Sequence, residues 1–172
     1  MRVDIVVFDG VDDLDVVGPF EVLGMARRAG LGVTVRLVSL EGPRTVTSQG
    51  GLPLPAALAA AARPGLVFAS VCTGALLLAA AGLLTGRAST THHRAVAELV
   101  AAGGSHVDAR VVDDGDLVTA GGITCGLDLA LWLVERHLGA DAAGMLQRVL
   151  EYERREPLWR TGHEVSLHGA DR

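Results

Sequence analysis

Leu66-Val-Phe-Ala-Ser-Val71, then Cys72-Thr73-Gly74, then the helix-forming run Ala75 to Ala81 is the stretch that decides the fold. A buried strand that breaks within about three residues into an alanine- and leucine-rich helix forces a sharp turn, and the turn residue projects above the sheet edge. That residue is a thiol, Cys72. The N–H groups and dipole of the following helix, worth roughly 0.3–1 kcal/mol near the terminus, favour thiolate over thiol. This is the geometry of a nucleophile elbow with sulfur in place of oxygen. The alternative reading is a buried cysteine that packs as a small hydrophobe.

Outward from the elbow the pattern alternates strand and helix. Val3–Phe8 and Val33–Ser39 are β-branched runs bounded by Asp9-Gly10 and by Gly30 and Gly32, and both predict buried strands. Between them Pro19 opens a predicted helix to Ala29, with Phe20, Leu23 and Ala26 on one face. Such a β-α-β unit implies parallel strands. Arg94–Ala102 reads as a helix stopped by Gly103-Gly104, and Val107–Val112 with Leu117–Ala120 flanks the hairpin signal Asp113-Asp-Gly-Asp116. Gly126–Leu138 and Ala140–Tyr152 supply two more helices, and Arg154–Arg172 is expected to be a loosely ordered tail. No repeat or linker interrupts the chain, so one domain spanning residues 1–172 is expected. Its architecture is an α/β three-layer sandwich with a mostly parallel sheet, where sites form at the carboxyl ends of strands.

Composition narrows the functions. Hydrophobic residues make up 49% of the 172, charged ones 20%, and 22 are glycine, which suits close helix–sheet packing. A formal charge of −5 without any lysine-rich run gives no electrostatic footprint for nucleic acid or an anionic membrane. Met1-Arg-Val-Asp-Ile-Val-Val-Phe8 is too short and too polar for a secretory signal, and no apolar run approaches the ~20 residues of a membrane span. A cytoplasmic location is the expectation, with Cys72 and Cys125 as unbridged thiols. Neither has the spaced Cys and His partners of a zinc site.

Five motifs then occur in order: Leu14-Asp15-Val-Val-Gly18-Pro19-Phe20-Glu21-Val22-Leu23; Ser70-Val-Cys72-Thr73-Gly74-Ala75; Ala79-Ala-Ala-Gly-Leu-Leu84; Thr90-Thr-His92; and Val118-Thr-Ala-Gly-Gly122 through Gly126-Leu-Asp128. Together they resemble the ThiJ/PfpI superfamily, and the Cys-Thr-Gly and Leu-Asp-x-x-Gly-Pro elements are most similar to its isonitrile hydratase branch. The resemblance implies a flavodoxin-like, class I glutamine amidotransferase-like fold, a homodimer, a small-molecule substrate, and neither metal nor organic cofactor. It makes Cys72 the nucleophile and Asp15 a carboxyl hydrogen-bonded to the sulfur, whose pKa a neighbouring thiolate raises into the range of a proton donor. Without the resemblance, Asp15 reads as a charge stabilising a helix N-terminus. Thr73 offers a hydroxyl and the N–H after the nucleophile, a usual oxyanion donor, or else is an ordinary first-turn residue. His92 is either a proton shuttle or a structural hydrogen-bonding residue. His93 replaces the tryptophan common in this branch, which alters an aromatic wall of the pocket. Gly121 and Gly122 let backbone approach the substrate closely or simply make a tight turn. Cys125 stands where relatives place a small residue and reads as packing.

One departure stands out. Relatives carry another strand, ending in Pro-Gly-Gly, and another helix before the nucleophile strand, whereas here Leu52-Pro-Leu-Pro55 runs through Ala56–Ala62 to Arg63-Pro-Gly65. Such a unit takes about 30 residues, and the second oxyanion glycine leaves with it. Pro53, Pro55 and the alanine cluster are not expected to form a replacement strand. Either the protein is a deleted form with impaired catalysis, in which Ala56–Ala62 is expected to form one continuous helix, or a segment near residues 56–65 is missing from the sequence.

Three functions follow from these residues. The first is a hydratase converting an organic isocyanide to an N-substituted formamide. The second uses the same thiol on aldehydes or glycated groups, as a glyoxalase or deglycase. The third is a ligand- or redox-sensing module, although the region after Tyr152 is too short for a DNA-binding domain.

Overall fold

The computed structural model describes residues 1–58 and 65–162. The chain divides into two compact units, Met1–Pro64 with Gly126–Arg154, and Gly65–Cys125 with Arg155–Arg172. The first contains β1 (Arg2–Val6), α1 (Asp13–Arg28), β2 (Thr34–Ser39), β3 (Arg44–Thr47) and β4 (Pro53–Leu58). The second contains β5 (Phe68–Val71), α2 (Gly74–Ala80), β6 (Ala88–Ser89), a 3-10 turn at His93–Ala95, α3 (Val96–Ala101), β7 (Ser105–His106), β8 (Val111–Asp113) and β9 (Leu117–Ala120). α4 (Cys125–Leu138) returns the chain to the first unit, which α5 (Ala140–Leu150) completes, and β10 (Leu158–Arg160) belongs to the second.

The first unit's sheet runs β1-β2-β4-β3. β1 and β2 are parallel from Arg2↔Thr34 to Val6↔Val38, the geometry a helical crossover imposes. The apolar faces of α1, α4 and α5 meet that pair through Val22, Leu23, Ala26, Val35, Leu131, Val134 and Leu146, all buried. Charge on the strands is paired in register: Asp4 faces Arg36, whose guanidinium donates to its carboxylate at 2.9 and 3.0 Å. That bond holds the Asp4 carboxyl below its ordinary pKa.

Two expectations change here. α1 begins at Asp13, six residues before Pro19, because the Asp12 side chain accepts the Leu14 N–H at 3.0 Å and Asp13 and Asp15 bring negative charge to the first turn. Pro19 therefore sits inside the helix, where it removes one N–H from the ladder. Pro53–Leu58, expected to be no strand, is β4. It pairs antiparallel with β3, with Val46 opposite Leu54, and parallel with β2 only at Ala57 and Leu58. At Pro53 and Pro55 the strand is paired on one side only, which is where proline is tolerated. One continuous helix over Ala56–Ala62 is excluded by this strand, while residues 59–64, the rest of the suspected break, lie outside the described residues.

The second unit's sheet runs β10-β8-β9-β5, with β5 parallel to β9, β8 antiparallel to β9 across the expected hairpin, and β10 parallel to β8. Leu158–Arg160 is thus a strand and not loose tail; residues 163–172 lie outside the described residues. Helices α2 and α3 pack on this sheet through Ala75, Leu84, Leu99 and Leu117. β1 forms one edge of the first sheet and β5 one edge of the second. Among the described residues, no helix is long and apolar enough to cross a membrane.

Candidate active site

β5 ends at Val71 and α2 begins at Gly74, so the turn is Cys72 and Thr73 alone. Cys72 has φ +57°, in the left-handed region that a side-chain-bearing residue enters only at a cost of about 1–2 kcal/mol. Its backbone is held on both sides. The Cys72 N–H donates to Gly121 O at 2.8 Å and Ala120 O at 3.1 Å, and its carbonyl accepts from the Thr91 hydroxyl at 2.9 Å. The Cys72 side is thereby tied to the end of β9 and to the segment before His92. Its residue surface is 9% exposed. Thr73 starts α2 without a side-chain cap bond, which leaves its hydroxyl uncommitted to the helix.

The glycine pair and the histidine meet. A Cβ on Gly122 would lie 2.5 Å from His92 Cδ2 and 3.2 Å from its Nε2, so only glycine lets the imidazole sit there. The His92 Nδ1 accepts the Arg94 N–H at 3.2 Å, the bond that caps the 3-10 turn. Its two readings divide between the two ring nitrogens: Nδ1 serves structure, and in the neutral ring Nε2 carries the remaining N–H. The His93 ring lies 4.2 Å from that of His92, tilted by 33°, where an indole was expected from the resemblance.

Cys72, Thr73, His92, Gly121 and Gly122 therefore share the second unit and are linked through backbone and van der Waals contacts. Asp15 stands in the first turn of α1 in the first unit, half-buried. The alternative account of Asp15, a charge at a helix N-terminus, fits its place in that first turn, while the side-chain cap is made by Asp12, and Asp13 accepts the Gly50 N–H at 2.9 Å and ties down the β3–β4 turn.

Sequence reasoning treated Cys125 as packing, and it is buried at 5% exposure with its sulfur 3.3 Å from where a Gly121 Cβ would stand. It also lines a cavity of about 480 Å³ in the second unit, with His92, Arg110, Gly121 and Gly122. Arg110 escaped notice because it lies in a run that reads only as strand. Neither cysteine is in a disulfide with the other. Among the described residues, no group of three or more His, Cys, Asp or Glu is placed to hold a metal ion.

A mostly parallel α/β sheet with a strained cysteine between strand and helix defines a class of protein, and comparison with known proteins gives the family. The DJ-1/PfpI family model matches residues 52–136. An isonitrile hydratase from Pseudomonas putida is 51% identical over 83 residues, which is 48% of this chain and 36% of the hydratase, so the chain spans about a third of that relative's length. A protein from Streptomyces lividans, described as an uncharacterized protein in the cpoL 5' region, is 38% identical over 130 aligned positions, 57% of this chain and 92% of that protein. Since 57% of 172 is about 98 residues, about 32 of those 130 positions have no counterpart here. A crystal structure of a ThiJ/PfpI family protein from Pseudomonas syringae matches with a TM-score of 0.75 at 27% identity, covering 91% of this chain and 76% of that one. The chain belongs to the DJ-1/PfpI family, with its flavodoxin-like, class I glutamine amidotransferase-like fold.

Proposed function

We propose that this protein adds water to an organic isocyanide, R–N≡C, to give the N-substituted formamide, with Cys72 as nucleophile. The left-handed backbone of Cys72 carries the reading, because a cysteine that merely fills space has no need of it. The partial likeness to an isonitrile hydratase supports the choice of reaction.

In this mechanism the Cys72 thiolate forms a C–S bond to the terminal isocyanide carbon, and the carboxylic acid of Asp15 delivers its proton to the same carbon, giving a thioimidate. The Asp15 carboxylate next takes a proton from water as the water oxygen bonds to that carbon, and passes it to nitrogen. The carboxylate removes the remaining hydroxyl proton as the C=O forms, the C–S electrons return to sulfur, and the formamide leaves with thiolate and acid restored. Thr73 steadies the developing charge through its N–H and hydroxyl, and His92, Gly121 and Gly122 contact the substrate. Neither metal nor organic cofactor enters the scheme. The roughly 30-residue unit of relatives would have brought a second oxyanion donor, and the 32 or so unmatched alignment positions support its absence. A donor lost this way lowers turnover by about 10²–10³. A homodimer is part of the proposal, supported by exposed Leu14, Val17 and Phe20 at three-residue spacing on α1.

Formamide production from a small alkyl isocyanide, followed by mass spectrometry, tests the reading. Wild type and Cys125→Ser are expected to produce it and Cys72→Ser none. Equal losses in both variants would remove Cys72 as nucleophile, and turnover of methylglyoxal in place of isocyanide would assign the thiol to aldehydes.

A further inference from the structure

The four-stranded sheet of the first unit ends in two unlike edges. β3 closes one side, and its exposed side chains, Thr45 and Thr47, are polar. β1 closes the other, and there Val6 and Phe8, two residues apart, are each 45% exposed. Strand pairing tells which backbone groups of β1 point outward. The Met1 carbonyl accepts the Thr34 N–H at 3.0 Å and the Val7 N–H donates to Val38 O at 2.8 Å, so in the alternation of a parallel ladder the odd-numbered residues serve β2. Arg2, Asp4 and Val6 therefore turn their N–H and C=O groups to the open side. The usual protections of an edge are missing: β1 has no proline, no lysine and no bulge. Its two charged side chains are bonded to each other at 3.0 Å, with Asp4 held by Arg36 as well.

Such an edge accepts another strand, and this row is complementary to itself. In an antiparallel pair, outward-pointing residues must face outward-pointing residues, so a twofold axis passes through a residue and never between two. With the axis at Ile5, Asp4 faces Val6 of the second copy and Arg2 faces Phe8 of the second copy, a guanidinium against an aromatic ring, and no like charges are opposed. With the axis at Asp4, two carboxylates meet. With the axis at Val6, Arg2 falls beyond the strand, opposite Gly10. We infer that a second copy of this chain docks on the β1 edge, the two β1 strands pairing antiparallel about Ile5 and joining two four-stranded sheets into one. The contact is isologous and closes at two copies. That second copy is the one of the homodimer reading, on which this rests, and its seat is separate from the Leu14, Val17 and Phe20 face of α1.

Sedimentation equilibrium of the full chain over a concentration series, with hydrogen exchange read residue by residue at both ends of the series, tests the seat. Wild type is expected to be a dimer whose Asp4 and Val6 amides are protected when concentrated and exchange freely on dilution. The Val3, Ile5 and Val7 amides, on the β2 side, should stay protected throughout. Val6→Lys charges an exposed edge position and should raise the dimer Kd by about 10-fold or more. Val17→Lys, on α1, should leave it nearly unchanged. The exchange pattern of wild type decides if Val6→Lys fails to fold. A chain that stays monomeric at every concentration overturns the edge contact and the homodimer reading together. A dimer broken by Val17→Lys and not by Val6→Lys, with the Asp4 and Val6 amides exchanging freely, removes the edge contact and leaves the homodimer. Protection of those two amides in the monomer assigns the edge to a segment of the chain itself, and assemblies growing past two copies mean that β1 pairs with a different edge; either result overturns the twofold pairing.

Discussion

Two strand-to-helix junctions of this protein, β1–α1 and β5–α2, are built in opposite ways. Between β1 and α1 the chain takes six residues, Asp12 has ordinary extended backbone, its side chain caps the helix, and two acids occupy the first turn. Between β5 and α2 it takes two residues, the first with φ +57°, and the helix has neither a side-chain cap nor an acid in its first turn. The first junction spends Asp12 and Asp13 on stability, one capping the helix and the other holding the Gly50 N–H. The second holds a thiol in a strained position and leaves the start of its helix undressed, as expected where backbone N–H groups face a reacting molecule.

The sharpest way to break this contrast is Cys72→Gly. Isocyanide hydration should fall by at least about 10³, since the nucleophile is gone. Glycine has no penalty at positive φ, so Cys72→Gly should melt later than Cys72→Ala, by about 1 kcal/mol in urea unfolding. Equal stability of the two variants would mean that the turn stores no strain. Asp15→Asn comes next: turnover should drop by roughly 10² or more because an amide cannot pass the proton. Stability should fall by no more than the ~0.3–1 kcal/mol of a first-turn charge, because the cap belongs to Asp12. A lost fold with unchanged activity per folded molecule would return Asp15 to a structural role.

Gly122→Ala should cost about 1–3 kcal/mol by driving a methyl into His92, and weaken substrate use with it. A wild-type melting temperature together with wild-type KM would show that the imidazole is free to move aside. Smaller still is the pair of cap substitutions. Asp12→Ala should cost about 1 kcal/mol and Thr73→Ala close to nothing, because only the former makes a cap bond. Similar costs would dissolve the distinction between the junctions.

The elbow was legible because an apolar run changes to alanine and leucine within three residues, a local signal that needs no tertiary context. The hairpin of β8 and β9 was legible from Asp113-Asp-Gly-Asp116 for the same reason. What sequence could not give was set by distant partners. β4 carries two prolines and is a strand because β3, and then β2, offer it ladders. β10 is three residues long and exists only through pairing with β8. The start of α1 was hidden by Pro19, although Asp12 before Asp13 and Asp15 is a readable cap. The position of Cys72 between strand and helix and the turn at Gly121–Gly122 were legible. The cavity and the part of Arg110 and Cys125 in it were not, since they arise where the Gly121–Gly122 turn meets His92.

The smallest expected effect tests the claim that polar groups of the first unit serve stability. Asp4 has its carboxyl pKa lowered, chiefly by the Arg36 hydrogen bond, against burial that raises it. A carboxyl whose folded pKa lies below its unfolded value, about 3.9, contributes stability that is complete above that value and lost as pH falls through the folded one. Arg36 is 39% exposed at its side chain, so solvent screening limits the contribution to under about 1 kcal/mol. Urea unfolding of wild type and Asp4→Asn should therefore differ by up to that amount at pH 6. The gap should narrow below about pH 4 and close further as the carboxyl protonates in the folded protein. A gap constant down to pH 3 would mean that Asp4 acts by shape and not by charge, and the β1–β2 pair would then owe its register to apolar packing alone.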